Sequence, residues 1–406
     1  NVNDAKRAQG VHSVLIAEEI ENLLIGPIRH DEPILASKEV LFFGQAIAAV
    51  LAESHDLAKK AALLVSAEIE ELKPIVTIQQ AMKAKSFLDK PIVVSSGDSK
   101  SAIKSASNQL TGSLQIGGQE HYYLEGQVAI SIPTEDNEIV IHSSTQNPTE
   151  VQHLVSHVLN VPQNAIEVVT RRMGGGFGGK ETDASQLACI CAIFSEKTKR
   201  PVKARLSRKD DILLTGKRHD FVANYEVGFD DQGLIEGITM DLAARCGYSL
   251  DLSMAIVSRA LFHSDNAYFI PNATFTGYLC KTNTASNTAF RGFGGPQGML
   301  AIENIVEEIA NTLGLDPLEV RRSNFYQKNE NNVTPYSQVI EDNIISEITD
   351  ELISDSNYHS RRKEIDKFNK DNRYLKKGLA FSPVKFGISF TTQFLNQAGA
   401  LVSIYK

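Results

Sequence analysis

Cysteine is scarce in this sequence, and the few cysteines present form no redox or metal motif. The chain of 406 residues contains four, namely Cys189, Cys191, Cys246 and Cys280. Cys189 and Cys191 lie two residues apart on a predicted helix and point to different faces, which excludes a C-x-x-C pair. We therefore expect buried, inert thiols of the kind found in the reducing cytoplasm. A four-cysteine iron–sulfur cluster has no candidate here and would have to lie on another segment.

Long apolar runs and an excess of positive charge are also missing. The chain has 41 Lys and Arg against 49 Asp and Glu, a net charge of −8. This balance does not favour binding to nucleic acid or to an anionic membrane. Because no run of 18 apolar residues occurs, no membrane-spanning helix is predicted. The hydrophobic content of 42% is that of an ordinary globular protein, long enough for two or three domains.

Glycine, in contrast, is concentrated in one loop at residues 171–181. Five glycines surround Phe177, and Lys180 and Glu181 follow directly. Residues 165–170 alternate as in a strand, and the residues after the loop show helical spacing, with Asp183 or Ser185 as a plausible N-cap. A strand, a glycine loop and a helix together form an arrangement that binds anions, because free backbone N–H groups converge at the positive end of the helix dipole.

Three interpretations of this loop remain open from its residues alone. Its glycines match the dinucleotide pattern G-x-G-x-x-G, but Phe177 stands where close backbone approach is needed. The loop also matches the phosphate-binding pattern G-x-x-x-x-G-K, but Glu181 replaces the Ser or Thr that would hold Mg²⁺. A tight turn without any ligand is the third possibility.

A second loop, at residues 289–298, repeats the combination of glycines and an aromatic residue. The helical pattern that follows continues to Gly314, which is a typical C-terminal residue for a helix. Two such loops, each leading into a helix, favour one ligand bound from two sides. Arg291 adds a planar guanidinium suited to a phosphate or an oxyanion.

Six runs together resemble the molybdenum-cofactor part of the xanthine oxidase and aldehyde oxidase family. They are residues 117–125, 144–148, 173–181, 258–263, 289–298 and 385–391. The resemblance extends along nearly the whole chain and implies an α+β fold in a piece of a longer polypeptide. Combined with a linker-like composition at 95–110, it predicts four segments: an N-terminally incomplete α/β hammerhead-like domain at 1–94, the linker at 95–110, a first mixed α/β molybdopterin-binding domain at 111–372, and the beginning of a second at 373–406.

The resemblance also implies a role for individual residues. Contacts to molybdenum-molybdopterin would come from Gln146, Gly176, Phe177, Gly178, Ala289, Phe290 and Arg291. Among these, Gln146, Phe177 and Arg291 would lie at the metal, which the family holds through the pterin sulfurs. A planar substrate would lie between Phe293 and Phe390, with its polar edges bound by Glu181, Arg259 and Thr391. Amide and backbone donors suit an oxo-metal group because they stabilise charge on its oxygens.

In this family such a site hydroxylates a purine, hypoxanthine or xanthine, with a water-derived oxygen. Electrons then pass through 2Fe-2S clusters and FAD, on other segments or subunits, to NAD⁺, in an enzyme expected to be a cytoplasmic dimer. The presence of both Glu181 and Arg259 favours a purine over an aldehyde as substrate. An aldehyde oxidase-type enzyme and an inactive fragment remain alternatives. Because the family's catalytic base is a glutamate of a later segment, the 406-residue chain by itself is expected to be inactive.

Some local expectations depend on pattern alone. Residues 39–43 are predicted as a buried strand, 340–358 as a helix, and 378–390 and 401–405 as the start of a β-rich domain. His219 and His263 show no evident partner that would orient either of them as a general base.

Overall fold

The computed structural model describes residues 1–391 and 393–406. Its helices are α1 (Asn3–Arg7), α2 (His55–Ala62), α3 (Ile78–Ala84), α4 (Ser99–Ser105), α5 (Pro148–Leu159), α6 (Ala184–Thr198), α7 (Arg208–Leu214), α8 (Ser253–Phe262), α9 (Gly295–Leu313), α10 (Pro317–Asn324), α11 (Ile345–Asp355) and α12 (Tyr358–Asp371). Its strands are β1 (Val11–Ile16), β2 (Leu24–Ile25), β3 (Glu32–Pro33), β4 (Ala48–Ala52), β5 (Ile92–Ser96), β6 (Asn108–Ile116), β7 (Val128–Pro133), β8 (Ile139–Ser143), β9 (Ile166–Val169), β10 (Val202–Arg205), β11 (Phe221–Phe229), β12 (Ile235–Gly247) and β13 (Ala273–Lys281).

Two mixed sheets organise the larger part of the chain. One has the order β10-β7-β8-β9, and the other has the order β5-β13-β12-β11-β6. In each sheet one pair of strands is parallel, β8 with β9 and β12 with β13. Helices α5 and α6 pack on the first sheet, and α4, α8 and α9 pack on the second. This mixed architecture confirms the predicted α+β fold.

Each sheet has its own apolar core. The core of the five-stranded sheet includes one face of α9, with Ile302, Ile305, Val306 and Ile309 buried at helical spacing. Helix α9 ends at Leu313, and the capping residue that follows, Gly314, has a φ of 69°, the left-handed conformation that glycine adopts at little cost. The core of the four-stranded sheet also includes residues of the first 52 positions, among them Leu15, Ile34 and Leu35. The N-terminal segment is therefore packed directly against the four-stranded sheet and its helices.

The prediction of a linker at residues 95–110 is wrong. This stretch contains the end of β5, all of α4 and the start of β6, and β5 pairs with β13 in the larger sheet. Its polar composition reflects capping and exposed positions, since the Asp98 side chain accepts a hydrogen bond from the Ser101 N–H at the start of α4.

Three further local predictions differ from the structure. Residues 39–43 form no strand, and Phe43 is 87% exposed. The helix predicted at 340–358 is shorter, since α11 ends at Asp355 and the left-handed Asn357 separates it from α12. In the described part of 378–406 no strand forms, because no neighbouring strand pairs with this segment there. Among the described residues, no helix is long and apolar enough to cross a membrane.

Candidate functional site

The first glycine loop connects β9 to α6 and turns through left-handed backbone conformations. Gly175, Phe177 and Gly178 have φ angles of 94°, 54° and 104°. The Gln146 side chain supports this turn from inside, since its Oε1 accepts hydrogen bonds from the N–H of Gly178 at 2.8 Å and of Lys180 at 3.4 Å. Within the described residues its Nε2 has no hydrogen-bond partner. The amide N–H₂ group is therefore oriented by the loop and free to donate to a ligand.

The Lys180 side chain holds this loop in place from beneath. It is fully buried, and its Nζ donates to the Glu125 carbonyl at 2.7 Å and to Ser144 Oγ at 2.8 Å. The Glu125 carboxylate lies 3.4 Å from the same ammonium and accepts a hydrogen bond from the Gly174 N–H at 2.9 Å. Both ends of the loop are thus bound to the segment before β7. No local pattern indicates this anchoring, because in the sequence Lys180 matches only the phosphate-binding pattern G-x-x-x-x-G-K.

The two glycine loops lie directly against each other. The Arg291 N–H donates to the Phe177 carbonyl at 2.9 Å. A Cβ atom at Gly178 would lie 2.6 Å from the Ala289 carbonyl oxygen, so only glycine permits this approach. The structure thereby brings together the predicted cofactor residues of both loops, which are Gly176, Phe177, Gly178, Ala289, Phe290 and Arg291, beside Gln146.

Arg218 and His121 support the second loop, although no sequence motif indicates a role for either. Arg218 Nη2 donates to the Arg291 carbonyl at 2.9 Å, and its guanidinium lies 3.8 Å from the centre of the Phe290 ring. His121 Nε2 lies 2.6 Å from the Ala289 carbonyl oxygen. Only the tertiary structure shows this, because these residues lie more than 70 positions away from the loop.

The site offers unused hydrogen-bond donors that fit an anionic, oxygen-rich group. The Arg291 side chain is exposed and makes no hydrogen bond or ion pair with another described residue. Arg218 Nη1 is buried without a partner, and the Gln146 Nε2 group is also free. Two cationic donors and an amide donor around close-packed glycines suit the oxo and phosphate groups of a molybdopterin cofactor.

Phe293 of the second loop forms an aromatic pair with Phe390 of the C-terminal segment. The rings of Phe293 and Phe390 are 5.2 Å apart at 50°, and the Arg259 guanidinium lies 5.5 Å from the Phe293 ring centre. Thr391 Oγ1 donates to the Ala255 carbonyl at 2.8 Å, which places Thr391 beside the same helix, α8. The structure therefore brings together Arg259, Phe293, Phe390 and Thr391, four of the five predicted substrate residues.

Arg259 is buried and uses part of its guanidinium on the main chain. Nη1 donates to the Gly387 carbonyl at 2.8 Å, and Nη2 donates to those of Ile388 and Ser389 at 3.3 and 2.6 Å. A guanidinium carries five N–H donors, and the Arg259 Nε–H is buried without a partner. Arg259 thus anchors residues 387–389 and retains donors that are not used within the described chain.

Glu181, the fifth predicted substrate residue, lies next to a group of buried carboxyl groups. Burial, and secondly the negative charge of Asp251, raise the pKa of Glu181 to about 7. The same two causes raise the pKa of Asp183 to about 7. The main-chain N–H of Glu181 donates to the Gly178 carbonyl at 3.3 Å, but its side chain makes no hydrogen bond or ion pair with Arg259 or any other described residue. Its carboxyl group is therefore free to accept or, when protonated, to donate a hydrogen bond near neutral pH.

Both histidines that lacked an evident partner in the sequence have one in the structure. His219 Nε2 lies 2.8 Å from Ser253 Oγ, and burial lowers its pKa to about 3. His263 binds the Arg259 carbonyl through Nδ1 and the Gly387 N–H through Nε2. The Arg259 carbonyl is a local partner four residues before His263, whereas Ser253 lies 34 positions from His219 and Gly387 lies 124 positions from His263, so no local pattern could reveal these two.

Family models match most of the chain. A molybdopterin cofactor-binding domain matches residues 83–325, the a/b hammerhead domain of aldehyde oxidase and xanthine dehydrogenase matches residues 1–73, and a second molybdopterin cofactor-binding domain matches residues 351–406. The chain therefore belongs to the family of molybdopterin cofactor-binding domains found in aldehyde oxidases and xanthine dehydrogenases. The resemblance inferred from the six runs is thus confirmed.

Two curated relatives are similar to this chain along nearly its whole length. Xanthine dehydrogenase from Dictyostelium discoideum is 44% identical over 406 residues, which are all of this chain and 30% of that protein. Xanthine dehydrogenase/oxidase from Gallus gallus is 44% identical over 99% of this chain and 30% of its own length. The chain thus spans about a third of the length of these curated relatives.

Solved structures show the same fold. The aldehyde oxidoreductase from Desulfovibrio gigas superposes with a TM-score of 0.81 at 26% identity, over 90% of this chain and 42% of that one. The aldehyde oxidoreductase from Desulfovibrio desulfuricans superposes with a TM-score of 0.84 at 23% identity, over 91% of this chain and 42% of that one.

Proposed function

We propose that this chain forms the molybdopterin-binding part of a xanthine dehydrogenase that hydroxylates hypoxanthine and xanthine to urate. The observation that carries the proposal is the pair of interlocked glycine loops, joined by the bond from the Arg291 N–H to the Phe177 carbonyl. The 44% identity to xanthine dehydrogenases along the whole chain supports the same assignment.

The cofactor is held by donors that the fold aligns before binding. Gln146 donates its free amide group, and the Arg291 guanidinium binds an oxyanion without a competing partner in the described chain. Main-chain groups of Gly176, Phe177 and Gly178 on one loop, and of Ala289 and Phe290 on the other, surround the same place. When bound, the molybdenum cofactor supplies a water-derived oxygen for hydroxylation of a ring carbon and accepts two electrons.

The substrate is held by the aromatic pair and three polar side chains. Because the ring centres of Phe293 and Phe390 are only 5.2 Å apart and the rings are tilted by 50°, a flat substrate ring packs against this aromatic pair and does not lie between its two members, as the resemblance implied. Arg259 donates to a ring carbonyl and stabilises negative charge there, Glu181 binds the opposite edge, and Thr391 binds a third polar position. Burial raises the pKa of Glu181 to about 7. Its carboxyl group can therefore accept a hydrogen bond from a ring N–H when it is ionised, or donate one to a ring nitrogen when it is protonated.

Other parts of the complete enzyme supply the electron acceptors. We propose 2Fe-2S clusters and FAD on other segments or subunits, NAD⁺ as the final acceptor, a homodimer, and a reducing cytoplasmic location. All four cysteines of this chain are free and buried, which supports the reducing location. We also propose domain boundaries near residues 94 and 372. Residues 95–110 belong to the folded domain that follows, since they contribute to β5, α4 and β6.

The alternative is an aldehyde oxidase-type enzyme, because its cofactor loops would look alike. Glu181 and Arg259 favour the purine, since a carboxylate and a guanidinium discriminate among hydrogen-bonding heterocycles. Molybdenum analysis of the purified full-length enzyme separates both from a chain that binds no cofactor.

The test is the Glu181→Val variant of the full-length enzyme, assayed with xanthine and with an aromatic aldehyde. Losing one charge-assisted contact should lower kcat/KM for xanthine by about 30- to 150-fold, on the order of 2–3 kcal/mol, and that for the aldehyde much less. Glu167→Val, an exposed position on β9, is the matched control and should change neither. Equal losses on both substrates would show that Glu181 serves the fold and would reject its proposed role in recognition.

A further inference from the structure

The segment at residues 383–391 lies along helix α8 and the turn that follows this helix. It begins at the turn, near Asn266, and ends near the start of α8, at Ala255, with hydrogen bonds along its length. Asn266 binds the main chain of Pro383 and Lys385, at 2.9 and 3.1 Å. Next along the segment, Asp265 binds Lys385 Nζ and His263 accepts a hydrogen bond from the Gly387 N–H. Arg259 then donates to the carbonyls of residues 387–389. At the end of the row, Thr391 donates to the Ala255 carbonyl. This row of contacts sets the position of Phe390 and Thr391 relative to Phe293.

His263 occupies the middle of this row and is bonded at both ring nitrogens. Its Nδ1 lies 2.7 Å from the Arg259 carbonyl oxygen, which can only accept, so Nδ1 carries the proton. Its Nε2 lies 3.0 Å from the Gly387 nitrogen, which can only donate, so Nε2 presents its lone pair. The imidazole is therefore neutral, with one defined tautomer and no free nitrogen.

The surroundings of His263 favour this neutral form. The ring is 4% exposed and lies 4.7 Å from the Phe386 ring. Burial, with the positive charges of Lys385 and Arg259 nearby, lowers its pKa to about 4. With both nitrogens engaged, His263 has no atom available to transfer a proton to or from a substrate.

We infer that His263 is a positioning residue: its neutral ring holds the Gly387 N–H and thereby aligns Phe390 and Thr391 with Phe293. The inference rests on the proposed function, because it assigns these three residues to the substrate site. Arg259 binds the carbonyls of the same stretch, while His263 binds its N–H, so the two side chains fix complementary main-chain groups. Without His263, residues 387–391 can rotate so that Phe390 and Thr391 move away from Phe293, even when Arg259 remains.

Hydrogen exchange in the full-length, cofactor-loaded enzyme tests the contact directly. In His263→Leu, the peptide covering residues 383–391 should exchange about tenfold faster at its protected amide, since that N–H loses its acceptor. His263→Gln, whose side-chain oxygen can accept the same bond, should restore most of the protection. His153→Leu, at an exposed position on α5, is the matched control and should exchange as the wild type does.

Steady-state kinetics with xanthine show whether the contact serves the substrate site. His263→Leu should raise KM about tenfold while kcat changes about twofold or less, because binding geometry and not proton transfer is lost. Gly387→Pro removes the N–H while leaving His263 intact and should reproduce this result. Gly387→Ala keeps the N–H and is its control, since the nearest atom to an added Cβ is His263 Cε1 at 3.9 Å.

Two outcomes would overturn the inference. One is unchanged exchange of the 383–391 peptide in His263→Leu, and the other is a fall in kcat at constant KM, which would indicate a chemical role. If the wild-type enzyme does not oxidise xanthine, the proposed function is rejected. The exchange experiment would still decide whether His263 holds residues 383–391.

Discussion

Lys180→Met should destabilise the folded chain and loosen the first glycine loop. The Lys180 ammonium donates to the Glu125 carbonyl at 2.7 Å and to Ser144 Oγ at 2.8 Å, in a site where Lys180 is fully buried. Methionine is of similar length, so it fills the space without donating. The variant therefore leaves the Glu125 carbonyl without this donor.

The size of the effect follows from which acceptors lose their donor. The Glu125 carboxylate keeps two others, the Gly174 N–H at 2.9 Å and Ser144 Oγ at 2.6 Å, and its side chain is 40% exposed. It is thus not left as an isolated buried charge, and the loss comes mainly from the carbonyl and hydroxyl oxygens. We expect about 2–4 kcal/mol, below the about 3–5 kcal/mol found when a fully buried ion pair is broken.

Thermal unfolding of the purified chain measures this loss. The midpoint should fall by about 4–16 °C, because a loss of 1 kcal/mol corresponds to about 2–4 °C in a domain of about 150–250 residues. Lys199→Met is the matched control, since Lys199 is 61% exposed and its contact to Glu196, at 3.2 Å, is a surface ion pair. That pair is worth about 1 kcal/mol or less. Equal midpoints for the two variants would refute the anchoring role of Lys180.

Three further predictions concern the loops and the buried carboxyl groups. Gly178→Ala should lower molybdenum content at least about tenfold, because its Cβ would lie 2.6 Å from the Ala289 oxygen; full occupancy by metal analysis would contradict this. Arg291→Ala should weaken cofactor retention by removing a guanidinium from the site, and unchanged molybdenum and pterin content would remove that role. The pKa of Asp183 is about 7 in the folded chain and about 4 when unfolded, so this group should lower stability as the pH rises from about 4 to 7. Asp183→Asn should therefore show a smaller fall of the thermal midpoint over that interval than the wild type, and parallel pH curves would argue against it.

Local sequence predicted the features that depend on short spacing. The apolar period of α9, its glycine terminus and the two glycine-aromatic loops could be identified because each is encoded within about 20 consecutive residues. The resemblance to the cofactor-binding family also rests on short runs, and their order along the chain sufficed to recognise it. The assignment of individual site residues remains a prediction.

Tertiary structure decided which of these features meet. The contact of Arg291 with Phe177 joins loops 114 positions apart, and Arg218, Lys180 and His263 acquire their roles only from distant partners. The polar stretch at 95–110 was misinterpreted for the same reason, since its strand is stabilised by β13 more than 170 positions later. Composition and periodicity report the local preferences of the chain, whereas a buried donor is paired by whichever acceptor the folded chain brings to it. The sequence alone therefore determined the family and those elements that short runs encode, such as α9 and the two glycine loops. Only long-range packing determined which residues hold the site and whether segments such as 39–43 form a strand.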